Sequence, residues 1–180
     1  MSRTNVYLDG GPLSDGIRGQ GMSMDLDWRG LLQSLIADEQ LGEVHLVISQ
    51  LPEQPYPVRH ANQRTRLDQW RACGFKVHLS TTEVVSSIFV ERGTEAAFAT
   101  QLLSDAHADD FDTVLIISRR KELGTVLDAV RRAGKRVSVA FFDYRLDPGN
   151  PLHAHCDSHQ VLTCASLIQH TLSGPKPFFT

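Results

Sequence analysis

Three carboxylates stand where an α/β chain places its chemistry. Asp9 closes the apolar run Asn5–Leu8, Glu95 opens a helix behind "FVERG", and Glu122 follows the β-branched run Asp112–Ile116 inside "ISRRKELG". Loops at the carboxyl ends of parallel strands gather on one edge of the sheet, and ligands bind there. Three carboxylates brought to one edge by separate elements form a donor set for Mg²⁺ or Mn²⁺. Both are cations that take oxygen ligands and leave positions open for a phosphodiester. The same turn carries Arg119, Arg120 and Lys121. A guanidinium keeps its proton in a protein, so it repels a cation and pairs with the carboxylates itself. At a helix start these cations also suit phosphate, because the backbone N–H groups there already favour anions. Solvated side chains are the plainer reading for Arg119 and Lys121.

The elements that must position these groups follow from periodicity. Asn5–Leu8 is a strand, and "GGPLSDGIRGQG" (Gly10–Gly21) is rich in Gly and Pro, which predicts a flexible loop beside the edge. It lacks the Gly order of a dinucleotide loop, and Ser14 and Asp15 form no nucleophile motif. Trp28, Leu31, Leu32, Leu35 and Ile36 form the stripe of an amphipathic helix, with Ser23 or Asp25 as its cap and Gly42 as its stop. Glu43–Leu51 is a strand, the prolines of "PEQPYPVR" make a loop, and Leu67, Trp70 and Cys73 space a second helix closed by Gly74. Phe75–Val90 alternates as a strand followed by a second strand or hairpin. The helix behind Arg92 is read with Ala96, Phe98, Ala99, Leu102, Leu103 and Ala106 on its buried side, with Thr94 as its cap and Glu95 in its first turn. After strand Thr113–Ser118 come a helix ending at Gly134, the strand Arg136–Phe142, and a loop at 143–150. The segment from Pro151 is read as a helix, a short strand at Val161–Leu162, and a closing turn. Strands alternate with helices throughout, which means a mostly parallel sheet covered on both faces.

Composition narrows the function. With 180 residues and 41% hydrophobic content the chain makes one ordinary domain. A net charge of -3 argues against a wholly basic nucleic-acid binder and leaves room for local basic patches. "QRTRLDQWR" and "VRRAGKR" are such patches, each on a helix whose other face is buried, so solvated surface is their default. No apolar run approaches membrane-spanning length, and the N-terminus reads straight into a strand rather than as a leader. Three cysteines without paired spacing fit a reducing cytoplasm. "HAHCDSH" (His153–His159) matches no zinc spacing. Phe178 and Phe179 in the tail "SGPKPFFT" either dock on a partner or second subunit, or end the chain in disorder.

Taken in order, "VYLDGG", then Arg92 through Phe142, then "GNPLHAHCDSHQVL" resemble the NYN domain family, a branch of the PIN-like nuclease fold. The resemblance extends to "LDWRGLLQSL" and "QRTRLDQWRACGFKV" and spans nearly the whole chain. It implies a three-layer α/β sandwich with a mostly parallel central sheet over residues 1–172, followed by a tail at 173–180. It also implies metal-dependent cleavage of RNA by acidic residues at the first strand end, the central helix start and the next strand's turn. Asp9 matches the first, but the usual Asp-Gly-x-Asn reads Asp9-Gly10-Gly11-Pro12. Arg92-Gly93-Thr94-Glu95 stands for Lys-Gly-x-Asp. Ser118-Arg119-Arg120-Lys121-Glu122-Leu123 stands for Ser-Gly-Asp-x-Asp-Phe, so Arg120 replaces the central aspartate.

Two readings of the site follow. In one, Arg120 replaces the metal, no cofactor is expected, and the scaffold survives as an RNA-binding or regulatory module using Arg92, Arg119, Arg120 and Lys121. In the other, Asp9, Glu95 and Glu122 hold Mg²⁺ or Mn²⁺, and Arg120 steadies the transition-state oxygens of a weak ribonuclease. A third possibility is an assembly subunit, as a homodimer or with a protein partner.

Overall fold

The structure, a computed structural model, describes residues 2–142 and 151–172. The loop at 143–150 and the tail with Phe178 and Phe179 lie outside them. Seven strands form one sheet in the order β4-β3-β2-β1-β5-β6-β7. They are β1 (Arg3–Asp9), β2 (Gln40–Gln50), β3 (Lys76–Val85), β4 (Ile88–Arg92), β5 (Thr113–Ile117), β6 (Arg136–Phe142) and β7 (Ser158–Leu162). All neighbours are parallel except the β3–β4 hairpin. The expected mostly parallel sheet is therefore present, with one antiparallel edge.

Alternation along the strands builds two cores. Val6, Leu8, Leu46, Leu115 and Ile117 face one side, against α1 (Gly10–Gly19), α2 (Trp28–Ile36) and α3 (Pro57–Ala72). Tyr7, Val47, Val114, Ile116 and Val139 face the other, against α4 (Thr94–His107) and α5 (Gly124–Arg132). The helices on both faces make three layers. β5 is buried along its whole length, as a central parallel strand should be. A short helix, α6 (Cys164–Ile168), closes the described chain behind Thr163, whose side chain caps it. No described helix is long and apolar enough to cross a membrane.

Several local expectations change. Gly10–Gly21 is not a loop, because Gly10–Gly19 is helical. Pro12 sits in the first turn, where its missing N–H costs nothing. The glycines are there for close approach. A Cβ on Gly10 would lie 2.7 Å from Ile48, and one on Gly16 would lie 2.0 Å from the Phe142 ring. The α2 cap is Asp27, which accepts from the Gly30 N–H, rather than Ser23 or Asp25. That helix ends at Ile36, and Gly42 lies inside β2. Gly93, at φ 77°, caps α4 and leaves Thr94 as its first residue. The segment after Pro151 is a 3₁₀ turn (His153–His155) leading into β7, not a helix.

The tight seat of α1 on the sheet is testable. Gly16→Val forces a side chain into the Phe142 ring, and we expect a stability loss of at least about 1–3 kcal/mol in urea unfolding. An unchanged midpoint would contradict this packing.

Candidate functional site

Asp9 is the last residue of β1 and the first flank of α1, and it is completely buried. β1 pairs with both β2 and β5, so Asp9 stands at the middle of the carboxyl edge. Its carboxylate does not cap α1. It receives the Ser118 hydroxyl at 2.8 Å instead, from the residue following β5. Ser118 Oγ also accepts the Arg120 backbone N–H at 3.1 Å, which fixes the turn that carries the arginine.

Arg120 fills the centre of the edge. Its Nε donates to Asp9 Oδ2 at 2.6 Å, and one terminal nitrogen donates to Asp9 Oδ1 at 3.3 Å. That same nitrogen donates to Glu91, and the other reaches Glu95 Oε1 at 2.5 Å. Glu91 is held from behind by the Ser49 hydroxyl at 2.9 Å. The fork thus joins β1, the end of β4, the first turn of α4 and the turn after β5. Its side chain is only 17% exposed.

The electrostatics are those of a buried pair. Burial pushes the Asp9 carboxyl above its usual range. The hydrogen bonds from Arg120 and Ser118 pull against that shift, while the Glu91 charge adds to it. Burial works against the Arg120 charge, but the bonds to Asp9 and Glu91 outweigh it and raise the guanidinium pKa further.

Of the three carboxylates read from sequence, two meet here, Asp9 and Glu95. Glu122 is exposed and forms no hydrogen bond or ion pair with the described residues. Its place is taken by Glu91, which the sequence reading passed over. The signal was available: Glu91 lies in the strand segment "FVER", two residues before the glycine that caps α4. Among the basic residues, Arg92 is exposed and paired with Glu83 at 3.0 Å across the hairpin. Lys121 is exposed, and Arg119 is half-buried.

A groove of about 800 Å³ adjoins the cluster, between α1, α3 and the hairpin. Arg18, Arg59, Asn62, Arg66 and Phe89 line it, together with the acidic Asp15 and Glu91. Tyr56 packs on Phe89 with ring centroids 5.1 Å apart, and the Arg59 guanidinium lies 5.7 Å from the Tyr56 ring. Arg66 belongs to the basic helix patch and is exposed, as the sequence reads it, and it also lines this groove.

The sequence profile of the NYN domain matches residues 3–163. The chain belongs to the NYN family. The match supports the PIN-like nuclease fold for this protein. No functionally curated protein matches the sequence. Among solved structures, a protein of unknown function from Vibrio parahaemolyticus superposes with a TM-score of 0.64 at 13% identity. The alignment covers 92% of this chain and 95% of that one, and it speaks to the fold alone.

NYN nucleases are metal-dependent, so the donor set can be tested for fit to a divalent ion. All three carboxylates that meet at the edge, Asp9, Glu91 and Glu95, turn oxygens to one guanidinium. A cation placed among them would sit against a fixed positive charge. This NYN edge does not fit an ion with Arg120 in place.

Truncating the arginine leaves a buried carboxylate without its partner. Arg120→Ala should therefore cost about 3–5 kcal/mol near neutral pH. The pH dependence has a definite sign. The folded-state pKa of Asp9 lies above its unfolded value, so its contribution is complete below about pH 4 and is lost as pH rises through the folded value. Without Arg120 that folded value climbs further, so the deficit should widen as pH rises past the folded value of the unmodified protein. Asp9→Asn added to Arg120→Ala should recover most of it and flatten the profile in urea titrations. A deficit independent of pH would contradict the assignment.

Proposed function

We propose that this NYN protein is a degenerate nuclease whose scaffold serves as an RNA-binding or regulatory module. The observation that carries the reading is Arg120, whose guanidinium takes up Asp9, Glu91 and Glu95 together. Water activation by a bound cation needs open oxygen ligands, and here those oxygens serve an ion pair. Asp9, Glu95 and Glu122, the family's acidic positions, are accordingly assigned no catalytic step.

The cluster keeps three carboxylates against one guanidinium, so it does not attract phosphate by itself. RNA is held by what surrounds it. Arg18, Arg59 and Arg66 supply phosphate contacts along the groove, and Phe89 with Tyr56 offers an aromatic surface on which an unpaired base can stack. Lys121 and Arg119, on the outer lip of the edge, extend the basic path, with Arg92 beyond them. In this reading residues 1–172 work as one unit in a reducing cytoplasm, and the free thiols of Cys73, Cys156 and Cys164 are consistent with that.

Two measurements test it. Purified protein should leave single-stranded and structured RNA intact in Mn²⁺, whereas Arg120→Asp should bind Mn²⁺ more tightly and gain cleavage that EDTA blocks. Cleavage by the unmodified protein, abolished by Asp9→Asn, would overturn the reading in favour of a weak ribonuclease. In fluorescence anisotropy at low salt, single-stranded RNA should bind, and Arg59→Glu with Arg66→Glu should weaken binding at least tenfold and flatten its salt dependence. A stable dimer without RNA affinity would point to an assembly subunit instead.

A further inference from the structure

A second polar cluster lies under α4, toward the opposite end of that helix from the arginine. Asp105 is ten residues after Glu95 on α4, roughly 15 Å along the helix axis. On the sheet below it, Tyr7 of β1 pairs with His45 of β2, which pairs with Lys76 of β3. His45 is wholly buried. Its ring stacks on Tyr7, at 4.4 Å and 10°, and lies nearly parallel to the His78 ring, whose centroid is 5.2 Å away. Nδ1 meets His78 Nε2 at 3.0 Å. The other nitrogen, Nε2, is buried and has no hydrogen-bond partner. It points between two carboxylate oxygens, Glu43 Oε2 at 3.3 Å and Asp105 Oδ2 at 3.6 Å.

We propose that Glu43, His45 and Asp105 bind one transition-metal dication of the Zn²⁺ class. The three donor atoms lie within 4.8 Å of one another. Tetrahedral zinc with nitrogen and oxygen ligands at about 2.0–2.2 Å requires ligand-to-ligand edges of about 3.4 Å. The two edges from His45 Nε2, at 3.3 and 3.6 Å, already have that length. An imidazole in the set selects Zn²⁺-like ions over Mg²⁺ or Ca²⁺.

The surroundings are those of an oriented site. His78 faces the far nitrogen of His45, as the outer partner of a metal-bound histidine does. Gln101 donates to both oxygens of Asp105, at 2.9 and 3.0 Å, and the Tyr7 hydroxyl donates to one of them. Glu43 is one-third exposed and provides the entry path. The competing cation is Lys76, whose ammonium rests on Glu43 Oε2 at 2.6 Å. Its side chain is half exposed and can withdraw. A bound ion would tie β2 to the last turn of α4 and would stabilise the fold by mass action.

The test uses the full chain after EDTA treatment, titrated with Zn²⁺ by calorimetry and with Co²⁺ by visible absorption. We expect one ion per chain, a tetrahedral Co²⁺ spectrum, and a melting temperature that rises with Zn²⁺. Glu43→Gln, at a one-third exposed position that should not disturb folding, should weaken binding at least tenfold and abolish the thermal shift. His45→Gln should do the same if it folds. Lys76→Met should bind as tightly or more tightly, and His159→Gln should bind as the unmodified chain does. Failure to bind Zn²⁺ or Co²⁺ up to millimolar concentration would overturn the proposal. So would affinity unchanged by Glu43→Gln, or affinity lost with His159→Gln.

Discussion

The carboxyl edge of this sheet is organised by one buried contact, the Arg120 guanidinium on the Asp9 carboxylate. Asp9 ends a central strand and is sealed beneath α1, so its charge cannot be left to water. Everything nearby serves that constraint. Ser118 donates to Asp9 and also fixes the backbone of Arg120; Glu95 and Glu91 take the remaining donors; Ser49 holds Glu91. Buried ion pairs contribute little net stability compared with apolar packing, because both charges must be desolvated. What the contact supplies is position: it sets the hairpin, α4 and the turn after β5 relative to the central strand. The same argument makes the loss of either partner expensive.

The edge is also where a nuclease of this fold places its metal chemistry. A divalent ion and a guanidinium solve the same electrostatic problem, the repulsion among gathered carboxylates. The ion does so with open coordination positions, whereas the guanidinium does so with directed N–H bonds that end on protein oxygens. Substrate chemistry needs the first property and structural closure needs only the second.

Much of this was legible in the sequence because period and position carry it. The apolar runs of β1 and β5, their alternation with helices and the stripe of α2 made a covered parallel sheet readable, and the departure at Arg120 was visible against a family pattern. What failed had local causes. The Gly-rich run after Asp9 looks like a loop by composition, but Gly10 and Gly16 are required by contact with Ile48 and Phe142, partners distant in sequence. Glu122 reads as a site residue because it follows a strand, and Glu91 inside a hairpin strand carries no such mark. A turn residue can face either way, whereas a strand residue's direction is set by its register, and β4 pairs antiparallel with β3 so that Glu91 lies opposite Thr82. The Glu43–His45–Asp105 cluster could not be found by spacing at all, since α4 contributes one of its members across the sheet.

The central claim is that Arg120 stands where an ion otherwise would. The most direct measurement is anomalous scattering from a crystal of the unmodified protein grown with Mn²⁺. The account predicts no manganese peak between Asp9, Glu91 and Glu95, with the Arg120 guanidinium in density among them. An ordered Mn²⁺ bonded to Asp9, with Arg120 turned away, would contradict it.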